Sequence, residues 1–548
     1  MKNKVWDKKD RQLIVILIVF STLPWSRLLF GEYLFDDIEF VASNLSLHSL
    51  NSFWDCFKFQ LQESKPVANF VMALAHWIGS GTVAGHRAVS IVCHCLVVLL
   101  AYANLRVLAA RLCLLNRSRT KAVPRIVAFW AALLFAVHPI HSETLVIAQF
   151  RGEMLGTLFA LACLLTVQVG PPFWKNRNFA FYVSVLMGLS ILSKEVFAII
   201  LPIALVLPLL NRPKVRLHRI VMLILLLELP WLLVLLLGIL RDQSAYFSYA
   251  GNVGLGVLGF AEHLRLAARA IIEGVWKLIS GLGLTSIRLK MRQGLGSELG
   301  IAGSVFIIVS WFTALFVVVS KRGWNRYWGS LLLVSSAMYL FTPNNNLGSE
   351  HYWYFPTLAL FAFLVLWAHT LQNRWLPVAL SLLCVYYVAR LEGRASQLST
   401  RLDFAKAEAE THPEAIFGWV SAANEYLERD QGNAALARPY IDRAKQLAAD
   451  HPVVLSVEFL YFFRTRNLAA AEQAFARLSR YHWPADKLAT LYMDLAVLNV
   501  MDRNCRKAEL AFFHALRLAP SHPTLRLIYS KFLAEKKEKP FLICRGQK

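Results

Sequence analysis

Apolar runs long enough to cross a bilayer, each clipped at one end by basic residues, recur through the first 390 residues and leave few folds open. A hydrocarbon core offers no water to the backbone, so a run of about 20 apolar residues that crosses it must close its hydrogen bonds within a helix. Lys2, Lys4, Lys8, Lys9 and Arg11 precede the first run, Leu13–Phe30. By the positive-inside rule that places the N-terminus in the cytoplasm and residue 31 outside. The runs His86–Leu108, Ile126–Val137, Leu145–Val169, Phe179–Leu192, Val196–Leu210, Ile220–Leu240, Ile301–Ser320, Trp328–Phe341, Tyr352–Thr370 and Trp375–Val388 then alternate in direction. The loops assigned to the cytoplasm carry Arg111, Arg117, Arg119, Lys121 and Arg125, then Lys175 and Arg177, Arg212–Arg219, Lys321 and Arg322, and Arg374. The expectation is an all-α bundle of about eleven spans.

A chain that is 57% hydrophobic and 17% charged is too apolar for a water-soluble domain. The net charge of +23 sits in the short loops, with no basic helix or aromatic-basic module, which excludes nucleic acid as a partner. The first apolar run is long and lacks a small-residue cleavage site, so no cleaved signal peptide is expected. The eight cysteines have no zinc or redox spacing; Cys93, Cys95, Cys113, Cys163 and Cys384 read as small core residues, and Cys505 and Cys544 form a pair only if their region is oxidised.

The topology collects ionisable residues on the external face. Asp36 and Asp37 follow the first run, in the stretch GEYLFDDIEFVASN (Gly31–Asn44). His138, His141 and Glu143, then Arg151 and Glu153, Lys194 and Glu195, and Glu350 and His351 fall at span ends on the same side. A single charge at a helix end is solvated or snorkels. Five clusters on one face describe a polar cavity at the outer leaflet. Two external segments read as helices lying along the membrane: Val67–Ile78, which ends at Gly79-Ser80-Gly81, and Leu264–Leu289.

After about residue 392 apolar residues thin out and return at helical spacing. Ala437, Ile441 and Ala444 are echoed by Ala471, Phe475 and Leu478, and again by Ala508, Phe512 and Ala515. The spacing is close to the roughly 34-residue period of tetratricopeptide helix pairs. The expected organisation is a membrane domain, residues 1–391, followed by an external tetratricopeptide solenoid, residues 392–548.

These motifs resemble the transmembrane and tetratricopeptide-repeat O-mannosyltransferases of the GT-C superfamily. FDDIEFVASN (Phe35–Asn44) is similar to that family's paired aspartates after the first helix. Lys65-Pro66 stands where the family has Arg-Pro, and His86–Tyr102 is similar to its second span. HPIHSE (His138–Glu143) with RGE (Arg151–Glu153) downstream is the most specific match, followed by LSKE (Leu192–Glu195) and EHYWYFPTLAL (Glu350–Leu360). With the repeats, the resemblance extends over nearly the full chain. The short external loops and compact chain are those expected of a bacterial relative in the inner membrane, in which the donor carrier would be undecaprenyl phosphate. Two departures bear on the donor: His351 replaces an Arg, and Lys65 keeps the charge of an Arg without its planar fork.

Sugar transfer from a polyprenyl-phosphate carrier needs a base for the acceptor hydroxyl and cations beside the leaving phosphate. Asp36 or Asp37 is the expected base, with Asp36 preferred because it lies nearer the span. The other orients it, or binds a divalent metal (Mg or Mn) as in some relatives. Arg151, Lys194, Lys65 and His351 are the expected phosphate contacts; His138, His141, Glu143, Glu153, Glu195 and Glu350 line the sugar pocket. His138-x-x-His141 has neither the spacing nor the helical context of a zinc site.

The reading is an inverting glycosyltransferase whose acceptor is a Ser or Thr of an exported protein, selected by the repeats. Its rivals are the same chemistry on a lipid-linked or surface glycan, and a non-catalytic scaffold that assembles through the repeats. A transporter fits less well, because the polar groups crowd one face and no inverted repeat is visible.

Overall fold

In the computed structural model of the chain the described residues are 8–35, 37–42, 65–115, 122–170, 176–206, 221–234, 260–282, 284, 301–320, 327–332, 334–335, 349–370, 374–428, 433–481, 483 and 485–538. Asp36, Asn44, Cys544 and most of the basic loops singled out above lie outside them. The described residues are predominantly helical, with no strand among them. The chain separates between Phe404 and Ala405 into two compact units.

In the first unit five helices of the described residues are long and apolar enough to cross a membrane: Lys8–Leu29, Val83–Ala110, Ala148–Val169, Glu350–His369 and Leu376–Gln397. Pro124–Val137 and Pro139–Val146 make a sixth if the pair, bent by 50°, is one span. Proline causes the bend. Its ring disfavours helical backbone in the residue before it, and His138 is extended (φ −72°, ψ 123°). Pro66–Ile78, Arg177–Ser193, Phe197–Val206, Val221–Val234 and Gly303–Thr313 are shorter apolar helices. These are the elements of a helical membrane protein.

The Val83–Leu115 helix is the hub, packed against Lys8–Thr22, Ala122–Val137 and Arg151–Val169. The peripheral helices keep apolar side chains outward: Val15, Ile16, Ile18 and Val19 on the first, Val378, Leu382 and Val385 on the last. In water such faces would be a liability; beside lipid tails they need no protein partner. Pro66–Ile78 closes at Gly79, and the chain turns through Ser80 (φ 49°) and Gly81 (φ 69°). Glycine suits position 81 on two counts, since a Cβ there would also lie 2.9 Å from the His76 ring. The expected helix Leu264–Leu289 overlaps the described helix Phe260–Ser280, which packs on Ile301–Ser320.

The second unit is built of successive helix pairs. Ile416–Glu428 packs with Ala434–Ala448, Pro452–Arg464 with Leu468–Leu478, and Ala485–Met501 with Cys505–Leu518; Pro523–Glu538 follows. All nine periodic residues named above are buried, from Ala437 to Ala515. Small residues at these positions let paired helices approach, and Phe475 and Phe512 fill the space between them. A second periodicity accompanies them. Asn433, Asn467 and Asn504 each cap the second helix of a pair, the side-chain oxygen accepting from the N–H of Leu436, Ala470 and Lys507 respectively.

Candidate active site

The site is assembled on the broken stretch between His138 and Arg151. Short turns Pro139–His141, Ser142–Val146 and Ala148–Phe150 lead into the Arg151–Val169 helix. Asp37 docks there. Its Oδ2 accepts the N–H of Ala148 at 2.8 Å and its Oδ1 the N–H of Gln149 at 3.0 Å. The aspartate segment is thereby tied to the turn just ahead of Arg151, 111 residues away. Burial pushes the Asp37 carboxyl up to about 7, although the two backbone N–H bonds and the nearby Arg151 and Arg87 pull it down. Tyr33 donates to the Gly81 carbonyl at 2.9 Å, and burial followed by the Asp37 charge pushes its phenol up to about 12.

Two arginines hold this corner. Arg87 donates to the carbonyls of Leu28 (2.9 Å), Phe30 (3.1 Å) and Glu32 (2.7 Å), fixing the backbone that delivers the aspartate segment. Gly31 passes so close (φ 147°) that a Cβ would lie 2.6 Å from the Ser399 carbonyl oxygen and 2.7 Å from Arg87 Nη1. Arg151 is fully buried; its Nε donates to Ser90 Oγ (3.1 Å) and its Nη2 to the His86 carbonyl (2.8 Å).

Lys194, at the end of the Arg177–Ser193 helix, meets Glu153 at 2.8 Å and Glu195 at 3.7 Å, with the Tyr352 ring 5.3 Å away. Lys65 is half-buried at the start of Pro66–Ile78. Its aliphatic stem lies beside Gly152, where a Cβ would also meet the Ser193 carbonyl oxygen at 2.7 Å.

A reciprocal clasp joins Ser142-Glu143 to Glu350-His351. Glu143 Oε2 accepts the backbone N–H of His351 (2.8 Å) and faces its Nδ1 (3.2 Å). Glu350 accepts from Ser142 Oγ (3.4 Å) and from Arg394 (2.9 Å). The His351 ring stacks on Phe150 at 3.9 Å. His138 uses both ring nitrogens, accepting the Ile140 N–H at Nδ1 and facing the Leu278 carbonyl from Nε2. That leaves neither ring nitrogen free for a metal. His141 sits between the rings of Phe135 (4.4 Å) and Tyr354 (4.6 Å), its nitrogens without a hydrogen-bond partner among the described residues. No group of three His, Cys, Asp or Glu able to hold a metal occurs among the described residues.

The structure therefore brings Asp37 to Arg151, Glu153 to Lys194, and Glu143 to His351, while Asp36 lies outside the described residues. Arg87, Ser90, Tyr33 and Arg394 were not read from the sequence as site residues. The available signal for Arg87 was a charge inside an apolar helix, which needs a reason to be there.

No family model and no solved structure matches the chain. It is similar to a protein O-mannosyl-transferase of Caenorhabditis elegans, 28% identical over 250 residues, covering 44% of this chain and 34% of that protein. It is also similar to the protein O-mannosyl-transferase TMTC3 of Mus musculus, 25% identical over 177 residues, covering 30% and 18% respectively. The chain thus spans about a third of the first relative's length and under a fifth of the second's.

Proposed function

We propose that the chain is a membrane glycosyltransferase of the GT-C type that moves one sugar from a polyprenyl-phosphate donor to a Ser or Thr hydroxyl of an exported protein. The observation that carries the reading is the Asp37 carboxylate on the Ala148 and Gln149 N–H groups. It joins the paired-aspartate segment to the HPIHSE and RGE segment, the two motifs such a reaction needs in one place. The similarity to named protein O-mannosyl-transferases supports the reaction class.

Asp37 spends one lone pair of each oxygen on the backbone, which suits an orienting role and leaves Asp36 as the base. The acceptor oxygen attacks the anomeric carbon as its proton passes to the carboxylate. The bond from that carbon to the phosphate oxygen breaks, and polyprenyl phosphate departs with its charge met by the basic groups gathered here. The configuration inverts. The about eleven spans read from the sequence support a site and tetratricopeptide repeats, residues 392–548, on the external face, where the repeats would select the acceptor.

Glycopeptide mass spectrometry of exported proteins, comparing the normal chain with Asp36→Asn at equal abundance, tests this. The expected result is loss of a hexose-sized mass from particular Ser or Thr sites. A shift confined to a surface glycolipid would move the acceptor to a glycan, and no change in either would leave the scaffold reading.

A further inference from the structure

We propose that Arg151 and His86 together form the seat of the donor's phosphate group, and that Lys194 does not contact it. The proposal rests on the glycosyl-transfer reading only for the source of the phosphate. Its basis is a pair of buried donors left open. Arg151 is held on two sides, by Ser90 Oγ and the His86 carbonyl, while its Nη1 has no hydrogen-bond partner among the described residues. His86 is 1% exposed, and neither ring nitrogen has a hydrogen-bond partner among the described residues. Its ring stands 5.9 Å from that of Tyr33.

A buried cationic N–H without an acceptor is among the more unfavourable arrangements in a folded protein, and a bound anion is one partner that relieves it. Asp37 could have paired with Arg151, but both its oxygens bond the backbone N–H groups of Ala148 and Gln149. Arg151 also opens a 19-residue helix, so the positive end of that helix adds to its charge. A guanidinium pinned at Nε and Nη2 presents its remaining nitrogen in a fixed direction. His86, whose backbone carbonyl holds Arg151 Nη2, supplies one further N–H from its imidazole through whichever tautomer the oxyanion selects. Phosphate oxygens match both. Lys194 is differently placed: Glu153 at 2.8 Å and Glu195 at 3.7 Å already meet its charge, so its part is to hold the start of the Arg151–Val169 helix through Glu153.

Isothermal titration of the purified full chain in detergent with farnesyl phosphate, farnesol and inorganic phosphate tests the assignment. Expected results are binding of farnesyl phosphate, competition by millimolar inorganic phosphate, and none by farnesol. Arg151→Lys should weaken farnesyl phosphate binding about tenfold or more, and His86→Phe about three- to tenfold. Lys194→Gln, which keeps a donor for Glu153, should stay within about twofold. If Arg151→Lys does not fold, His86→Phe carries the test, because it keeps an aromatic ring there and removes only the ring nitrogens. Unchanged affinity in His86→Phe, or a loss seen in Lys194→Gln alone, overturns the site and leaves glycosyl transfer standing. Equal binding of farnesol would assign recognition to the chain rather than the phosphate and also overturn it. Failure of the normal chain to bind either phosphate would overturn the glycosyl-transfer reading itself.

Discussion

Two buried aspartates, one in the first turn of the first membrane helix and one beyond its far end, have surroundings that differ in kind. Asp10, near its start, accepts from Tyr102 (2.8 Å), Arg125 (3.0 Å) and Arg106 (3.4 Å), so the carboxylate meets its cations directly. Asp37, beyond its other end, gives its oxygens to backbone N–H groups, while Arg151 beside it keeps an unmet donor. Both corners hold one described carboxylate and two arginines. The first is closed and ties Lys8–Thr22 to the Val83–Leu115 and Ala122–Val137 helices. The second is closed in its backbone, and Arg151 Nη1 is left without a hydrogen-bond partner among the described residues.

That contrast can be broken most forcefully at Asp10. Asp10→Asn removes the buried carboxylate that Arg106 and Arg125 share and should lower stability by about 3–5 kcal/mol, read as thermal unfolding in detergent. Sugar transfer per folded molecule should stay near normal, and a large loss there would erase the distinction between the two corners.

Asp37 offers a pH test. Its folded carboxyl is raised from 3.8 to about 7, so the stability it contributes is present in full below pH 3.8 and is lost as pH rises through 7. The expected fall is of the order of a few kcal/mol. Asp494 in the second unit, raised to about 6, acts with the same sign, so the informative quantity is the difference between Asp37→Asn and the normal chain. Across that window the variant should unfold at a temperature less sensitive to pH; an unaltered slope would show that Asp37 is not the titrating group.

Gly152→Ala probes the helix start that carries Arg151. A Cβ there meets the Ser193 carbonyl oxygen at 2.7 Å, a backbone atom that yields little. A loss of about 1–3 kcal/mol is expected, together with weakened transfer. A stable, fully active variant would mean that the packing between Arg151–Val169 and Arg177–Ser193 does not set the geometry of the site. The smallest effect is on the second unit's surface. Arg438 and Asp442 are an exposed i, i+4 pair at 3.1 Å, and Arg438→Ala should change stability by no more than about 0.5 kcal/mol and leave transfer intact.

Much of the fold was legible because its signals are periodic. Apolar runs gave helices, and the 34- and 37-residue spacings of Ala437, Ala471 and Ala508 fell on the buried faces of successive helix pairs. The capping asparagines repeat at the same two intervals and were equally readable. The candidate site was less so. His138 and His141 look alike in HPIH, yet one spends both nitrogens on backbone groups and the other sits in an aromatic cage. Arg151 and Lys194 look interchangeable as cations, yet Lys194 meets Glu153 while Arg151 keeps a free donor.

The sequence alone determined the helical membrane class, the repeating helical pattern after about residue 392, and which motifs carry charge, because length, hydropathy and period act through local chemistry. Only the tertiary structure decided which charges are satisfied. Asp37 finds its partners in the backbone N–H groups of Ala148 and Gln149, and every residue but proline carries that group, so no side-chain pattern announces it.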